Sequence, residues 1–154
     1  MGFLDQIPGR LLGRNNSEQS SDDSNHSRFL QMLPKQVVAN FYSLCFDQKQ
    51  PRAAFERFVA ETLVQHNPVV ADGAEPALAS LETHLRENPE IHFSIRRIIA
   101  EGDLVVVHAL VKNDRLDRGR AVVDIFRVKE ERIVEHWDVV QPMPDIAVNL
   151  HPMF

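Results

Sequence analysis

The sequence predicts an α+β domain in which three N-terminal helices pack on one face of a curved, mostly antiparallel sheet. Three observations carry that expectation. Between Pro34 and Arg86 apolar residues recur at spacings of three and four. After Pro89 the period drops to two and β-branched residues dominate. Gly102-Asp103 then separates two such runs as a tight turn.

The first helix opens at Pro34, suited to a first turn, and buries Val37, Val38, Phe41, Leu44 and Cys45. A second is expected over Arg52 to Glu61, opened by Pro51, with Ala53, Phe55, Phe58 and Val59 apolar. A third runs from about Gly73 to Arg86 on Ala77, Leu78, Leu81 and Leu85, and stops before Asn88-Pro89. Strands follow at Ile91 to Ile95, Leu104 to Val111, Arg120 to Val128 and Ile133 to Val140, with an irregular Pro-rich tail from Pro142. Residues 1 to 28 read as a flexible leader, because Asn15 to Ser27 is almost wholly Ser, Asn, Asp and Glu and cannot offset the entropy of ordering it. Its apolar start (Phe3, Leu4, Ile7, Leu11, Leu12) suits at most a short amphipathic turn. The domain proper is expected over residues 29 to 154.

Composition narrows the partners. A chain of 154 residues can bury about two thirds of the surface it exposes when unfolded. The net charge is −5 and no basic run stands out, so binding to the phosphates of a nucleic acid is not expected. No apolar stretch approaches the length of a membrane span. Met1-Gly2-Phe3-Leu4-Asp5 has neither the basic start nor the long apolar run of a signal peptide, and Gln6 stands where myristoylation needs Ser or Thr. The one cysteine, Cys45, lies between Leu44 and Phe46 and reads as a small buried apolar residue. These features together predict a cytoplasmic protein without a disulfide.

Five polar groups stand within or beside apolar strand sequence: His66, His108, Asp124, His136 and Asp138. Ionised carboxylates are costly to bury without a partner, so Asp124 and Asp138, each interrupting a β-branched strand, are candidates for acid–base work. Alternation puts His108 on a face with Leu104, Val106 and Leu110, Asp124 with Val122, Phe126 and Val128, and His136 and Asp138 with Val134 and Val140. The hairpin at Lys129-Glu130-Glu131 decides how these faces meet. A three-residue loop sets Asp124 opposite His136, whereas a two-residue loop sets it beside Trp137. With the odd loop, His108, Asp124, His136 and Asp138 line one interior cavity walled by Val106, Val122, Phe126 and Val134, and Trp137 faces away. Tyr42 is a packing residue with a polar tip near that pocket. On the opposite face Val105, Val107 and Val111, with Val123 and Ile125, form an apolar patch that predicts a homodimer.

These residues resemble the SnoaL-like polyketide cyclase family of the nuclear transport factor 2-like superfamily. The resemblance lies in Gln65-His66-Asn67-Pro68, in Gly102 to His108, in Asp124-Ile125-Phe126-Arg127 and above all in Ile133-Val134-Glu135-His136-Trp137-Asp138. Asn149 to Phe154 is similar to the ending of a bacterial subgroup, and the likeness spans about Pro34 to Phe154. The resemblance implies a cone-shaped barrel wrapped by three helices, dimeric or tetrameric through the sheet. It also implies ring closure by aldol condensation, with an aspartate of the late strand as acid/base and neither metal nor organic cofactor. By position in the motif that aspartate is Asp138. His136, His108 or a protonated Asp124 would donate to the developing oxyanion, and His66 would line the pocket mouth. The chain departs from the family at Glu130-Glu131, where an Asp-Glu or Asp-Gly turn is common.

The expected function is therefore acid–base chemistry, of the aldol, cyclisation or isomerisation type, on a small apolar or carbonyl-containing molecule. The competing expectation is a non-catalytic ligand-binding module of the same fold. A metal site is a third, weaker reading, since no H-x-H or H-x-x-x-H spacing supports it. An epoxide hydrolase of the limonene type would need an Arg two residues from Asp124, where Val122 and Phe126 stand.

Overall fold

Pro34 sits in the first turn of helix α1 (Pro34–Tyr42), where its missing N–H is no loss, and the Leu33 N–H donates to the Gln36 side chain at 2.9 Å. The computed structural model describes residues 31–154, so the expected leader at 1–28 lies outside the described residues. A single π-helical turn, Ser43–Asp47, continues α1. Its i→i+5 bonding adds a residue to the turn, and Tyr42 and Phe46 both face the sheet, with ring centroids 5.0 Å apart. Helix α2 (Pro51–Phe58) and helix α3 (Ala74–Glu87) complete the helical layer.

Helix α2 ends at Phe58 rather than at the expected Glu61. Val59 is extended and begins a strand, β1 (Val59–Gln65), whose first three residues fall within the expected helix. Strands β2 (His92–Glu101), β3 (Leu104–Lys112), β4 (Arg120–Lys129) and β5 (Arg132–Pro142) lie close to the expected positions. Gly102, with φ +58, makes the tight turn from β2 to β3. The sheet order is β1-β5-β4-β3-β2, antiparallel except where β1 runs parallel to β5. Three helices on a five-stranded, curled sheet confirm the α+β class.

The core forms where the helices meet the inner sheet face. Val37, Val38 and Phe41 of α1, Phe55 and Phe58 of α2 and Leu78 of α3 pack against Val105, Val107, Phe126 and Ile133. Each such side chain contributes about 1.5–3 kcal/mol on full burial. Phe41 is the hub, edge-to-face with Tyr42, Phe46, Phe55 and Phe126.

The β4–β5 hairpin corrects the expected register in two steps that cancel. Lys129 pairs with Arg132, so the loop has two residues, Glu130 and Glu131, both left-handed at φ +49 and +61. Next, Val128 pairs with Ile133 but Arg127 pairs with Glu135, leaving Val134 as the extra residue of a β-bulge. The even loop alone would have put Asp124 beside Trp137. The bulge restores the parity, and Asp124 now stands opposite Asp138, Phe126 opposite His136 and Ile125 opposite Trp137.

Strand β3 has the reverse of the expected facing. Val105, Val107, Ala109 and Val111 are buried in the core, while Leu104, Val106, His108 and Leu110 alternate with them on the outer face. The expected outer patch therefore loses Val105, Val107 and Val111 and keeps Val123 and Ile125, joined by Val106 and by Ile99 and Val139, which are 62% and 63% exposed. Among the described residues no helix is long and apolar enough to cross a membrane.

Candidate functional site

The inner face of β4 carries Arg120, Val122, Asp124 and Phe126 at a period of two, and that of β5 carries His136, Asp138 and Val140. Under the helices these residues line a cavity of about 260 Å³, closed by Phe41, Tyr42, Phe46, Phe55 and Leu81. The walls are mostly apolar, which strengthens every polar contact within.

Three side chains meet at Asp124. The Tyr42 hydroxyl donates to Asp124 Oδ2 in a short hydrogen bond, and His136 Nε2 lies 3.1 Å from Oδ1. Asp124 and His136 are largely sequestered, with side-chain exposures of 13% and 17%. Burial raises the Tyr42 phenol well above its ordinary range and the Asp124 carboxylate raises it further, so Tyr42 is a fixed O–H donor.

The other nitrogen of His136 is settled by its neighbours. The Asn67 N–H donates to Gln65 Oε1 at 3.0 Å, which turns the Gln65 oxygen toward His136 Nδ1, also at 3.0 Å. An oxygen there accepts, so Nδ1 carries a proton. Asp124 Oδ1 and His136 Nε2 face each other at 3.1 Å, a geometry in which a proton can pass between them. Opposite them, Asn67 Nδ2 donates to Asp138 Oδ2 at 2.8 Å, its orientation set by the Val69 N–H, which donates to Asn67 Oδ1 at 3.0 Å.

The structure thus brings together Asp124, His136, Asp138, Tyr42 and Phe126 of the expected set. His108 is not among them. It lies on the outer face of β3, where Arg97 Nη1 donates to its Nδ1 at 3.0 Å and Phe154 stacks at 5.8 Å. The cause is the facing of β3, whose unbroken apolar run has no alternation to fix parity. For the same reason Val106 is no pocket wall, and Val134 is lost from the wall because it is the bulged residue.

His66 does not line the pocket mouth either. Val64 pairs with Glu135 and Gln65 with His136, so Gln65 faces inward and His66 outward. There His66 stacks on Trp137 at 4.5 Å and lies 2.9 Å from Glu135 Oε1. Arg127 continues this outer chain, donating to Glu135 Oε2 at 2.8 Å and to Asp103 Oδ1 at 2.9 Å. Arg127 and then His66 hold the Glu135 carboxyl below its usual range. Asp103 is thus a turn residue that also anchors this chain.

Residues missed in the sequence include Gln65 and Asn67, which flank His66 in the same motif, and Arg120 and His84 at the other end of the cavity. Arg120 was detectable by the period of two that found Asp124. Among the described residues no group of three or more His, Cys, Asp or Glu is arranged to hold a metal ion.

Known structures share this architecture. IdmH of Streptomyces antibioticus, a proposed polyketide cyclase, superposes with a TM-score of 0.60 at 18% identity, covering 71% of this chain and 92% of that one. TsrD of Streptomyces laurentii gives 0.59 at 17% identity, covering 72% and 90%. A SnoaL-like protein of Agrobacterium tumefaciens, proposed to be an isomerase, gives 0.60 at 16% identity, covering 71% and 99%. At these identities the likeness concerns the fold alone. No curated protein matches the sequence. The family model for the SnoaL-like domain, however, matches residues 38–136, from the core of α1 to the pocket histidine of β5. With that match over well over half its length, and with this fold, the chain belongs to the SnoaL-like family of the nuclear transport factor 2-like fold.

Proposed function

We propose that the chain is an acid–base enzyme acting on a small carbonyl compound held in the apolar cavity, by aldol-type condensation, cyclisation or isomerisation. The supporting observation is the pairing of Asp124 with Asp138 across two strands, beside a histidine and a phenol, in a largely apolar cavity. Two carboxylates on facing positions, each with its own hydrogen-bond partners, can divide the work between a base and a proton carrier. Asp138, its Oδ2 held by Asn67, takes a proton from the carbon next to the carbonyl. A proton held by the Asp124–His136 pair moves to the enolate oxygen, and Tyr42 steadies the charge left on Asp124. The enol then attacks a second carbonyl and returns its O–H proton to Asp124 and His136, while the new alkoxide takes the proton held by Asp138. In isomerisation the enol takes that proton at another carbon and returns the O–H proton in the same way. Solved structures of the same fold are described as proposed polyketide cyclases and isomerases, in keeping with carbon-acid chemistry.

The test uses cyclohexanone as a probe, following exchange of its α-hydrogens with D2O by proton NMR. The wild-type protein should accelerate exchange, and Asp138→Asn should lower that acceleration by about 10²–10⁴-fold while leaving the fold intact. A wild-type protein that binds the ketone without speeding exchange would instead make the domain a ligand-binding module.

The same reading takes the protein as a cytoplasmic homodimer. Val106, Val123, Ile125, Ile99 and Val139 offer one apolar outer face, and Cys45 is a buried free thiol suited to a reducing compartment. Light scattering at micromolar concentration should give twice the chain mass of 17.6 kDa, and a monomer would remove the dimer from the proposal.

A further inference from the structure

The cavity has two chemically different ends. One holds Asp124, Asp138 and His136. At the other, Arg120 stands on the same inner face of β4, four residues before Asp124, or about 13 Å along the strand. Ser80 and His84, one turn apart on α3, line the cavity beside it.

Arg120 is built into place. Gly119 before it adopts φ +94, and a Cβ there would come within 2.6 Å of Leu110 Cδ1, so the approach to the strand is restricted to glycine. The guanidinium donates from Nη1 to Asn113 Oδ1 at 2.9 Å and from Nη2 to His84 Nε2 at 3.3 Å, both neutral acceptors. Its one carboxylate neighbour among the described residues is Asp117, at 4.0 Å. The Asp117 oxygens also accept the N–H groups of Asn113 and Gly119, at 2.7 and 2.8 Å, which tie that carboxylate to the loop. Burial and the Arg120 charge hold His84 toward its neutral form, so it adds no second cation. With a side-chain exposure of 21%, Arg120 is a positioned cation whose ion pair with Asp117 is long and whose hydrogen bonds go to neutral acceptors, which leaves it able to take a carboxylate from the cavity.

We infer that Arg120, with Ser80 and His84, forms a carboxylate-binding subsite, so that the substrate is an elongated apolar acid with its carbonyl at the Asp124–Asp138 end. A carboxylate is repelled by the two aspartates and drawn to Arg120, which orients the ligand along the cavity. A neutral ketone would not be oriented by charge. The inference rests on the cavity being the substrate site, and it deepens that reading by fixing the substrate's class and direction. Arg120 is a specificity-determining residue here, distant from the reacting atoms.

Octanoate and octanamide, of the same shape but differing in charge, provide the test by isothermal titration calorimetry. The wild-type protein should bind octanoate at least about tenfold more tightly than octanamide. Arg120→Met should erase that preference while changing octanamide affinity little, and Arg120→Lys should keep part of it. Should Arg120→Met fail to fold, as read by circular dichroism, the wild-type pair and Arg120→Lys decide the matter. Equal affinities for the two ligands, or no binding of either, would overturn the subsite, as would a folded Arg120→Met that keeps the preference. Asp138→Asn should retain the preference for octanoate. An Asp138→Asn protein that still speeds ketone exchange would sink the acid–base reading and leave this one standing, whereas a wild type blind to the acid does the reverse.

Discussion

The two faces of β5 carry polar chains of opposite character. Outside, Asp103, Arg127, Glu135 and His66 alternate acid with base, and Arg127 is raised in pKa by the two carboxylates it bridges. Inside, Tyr42, Asp124, His136, Gln65, Asn67 and Asp138 connect through hydrogen bonds that include no arginine or lysine. Outside, Arg127 is a fixed cation held between two carboxylates and the chain is reached by solvent, so it behaves as a surface ion network. Inside, the two carboxylates are held by a phenol, an imidazole and an amide in a mostly apolar cavity. What separates a site from a brace on the same strand is whether a fixed cation pins the carboxylates, not the number of polar residues.

The largest expected contrast is between Asp138→Asn and Arg127→Met. The first should abolish most ketone exchange with little loss of stability, whereas the second should leave exchange unchanged. An Arg127→Met protein that loses exchange would break the division between the faces.

Tyr42→Phe should have an intermediate effect, costing about 1–2 kcal/mol through the lost donor to Asp124. It also carries a pH signature. The folded state holds the phenol proton more tightly than the unfolded chain, whose pKa is near 10.0, so this stabilisation is complete below pH 10 and is lost as pH rises above it. Thermal melts from pH 8 to 12 should therefore show a shallower alkaline decline in Tyr42→Phe. The Cys45 thiol, pushed by burial from 9.0 to about 12, adds a decline of the same sign that the variant keeps. The smallest effect should be the melting change in Arg127→Met, which should shrink as salt is raised because the outer pairs are screened.

Much of this was legible in the sequence, for identifiable reasons. Helices α1 and α3 have clear periods, β3 is marked by its unbroken β-branched run, and Asp124, His136 and Asp138 stand out because each interrupts an apolar strand. Strand β1 was missed because Val59 and Leu63, both buried, are four apart and satisfy either period next to the Phe55-Phe58 helix. With β1 unseen, Gln65 and Asn67 had no inward face to occupy, and His66 took their place in the expectation. The bulge at Val134 carries no glycine to announce it, so the correct facing of Asp124 was reached from an incorrect register. The facing of His108 was undetermined in principle, since Val105 to Val107 and Ala109 to Val111 are apolar on both sides. The pair of Arg120 and His84 joins a strand to a helix and has no local signal.

The parallel pairing of β1 with β5 also has a kinetic side. Gln65 meets His136 across 71 residues of chain, and β1 has no partner strand until β5 has formed. The helices and the β2–β3–β4 meander rest on contacts closer in sequence, which close faster. Asp124, His136 and Asp138 meet in the local β4–β5 hairpin, so the Gln65 and Asn67 side of the cavity should be the last to assemble. Substitutions in β1 should therefore raise the rate of unfolding more than they slow refolding, as expected for contacts made late.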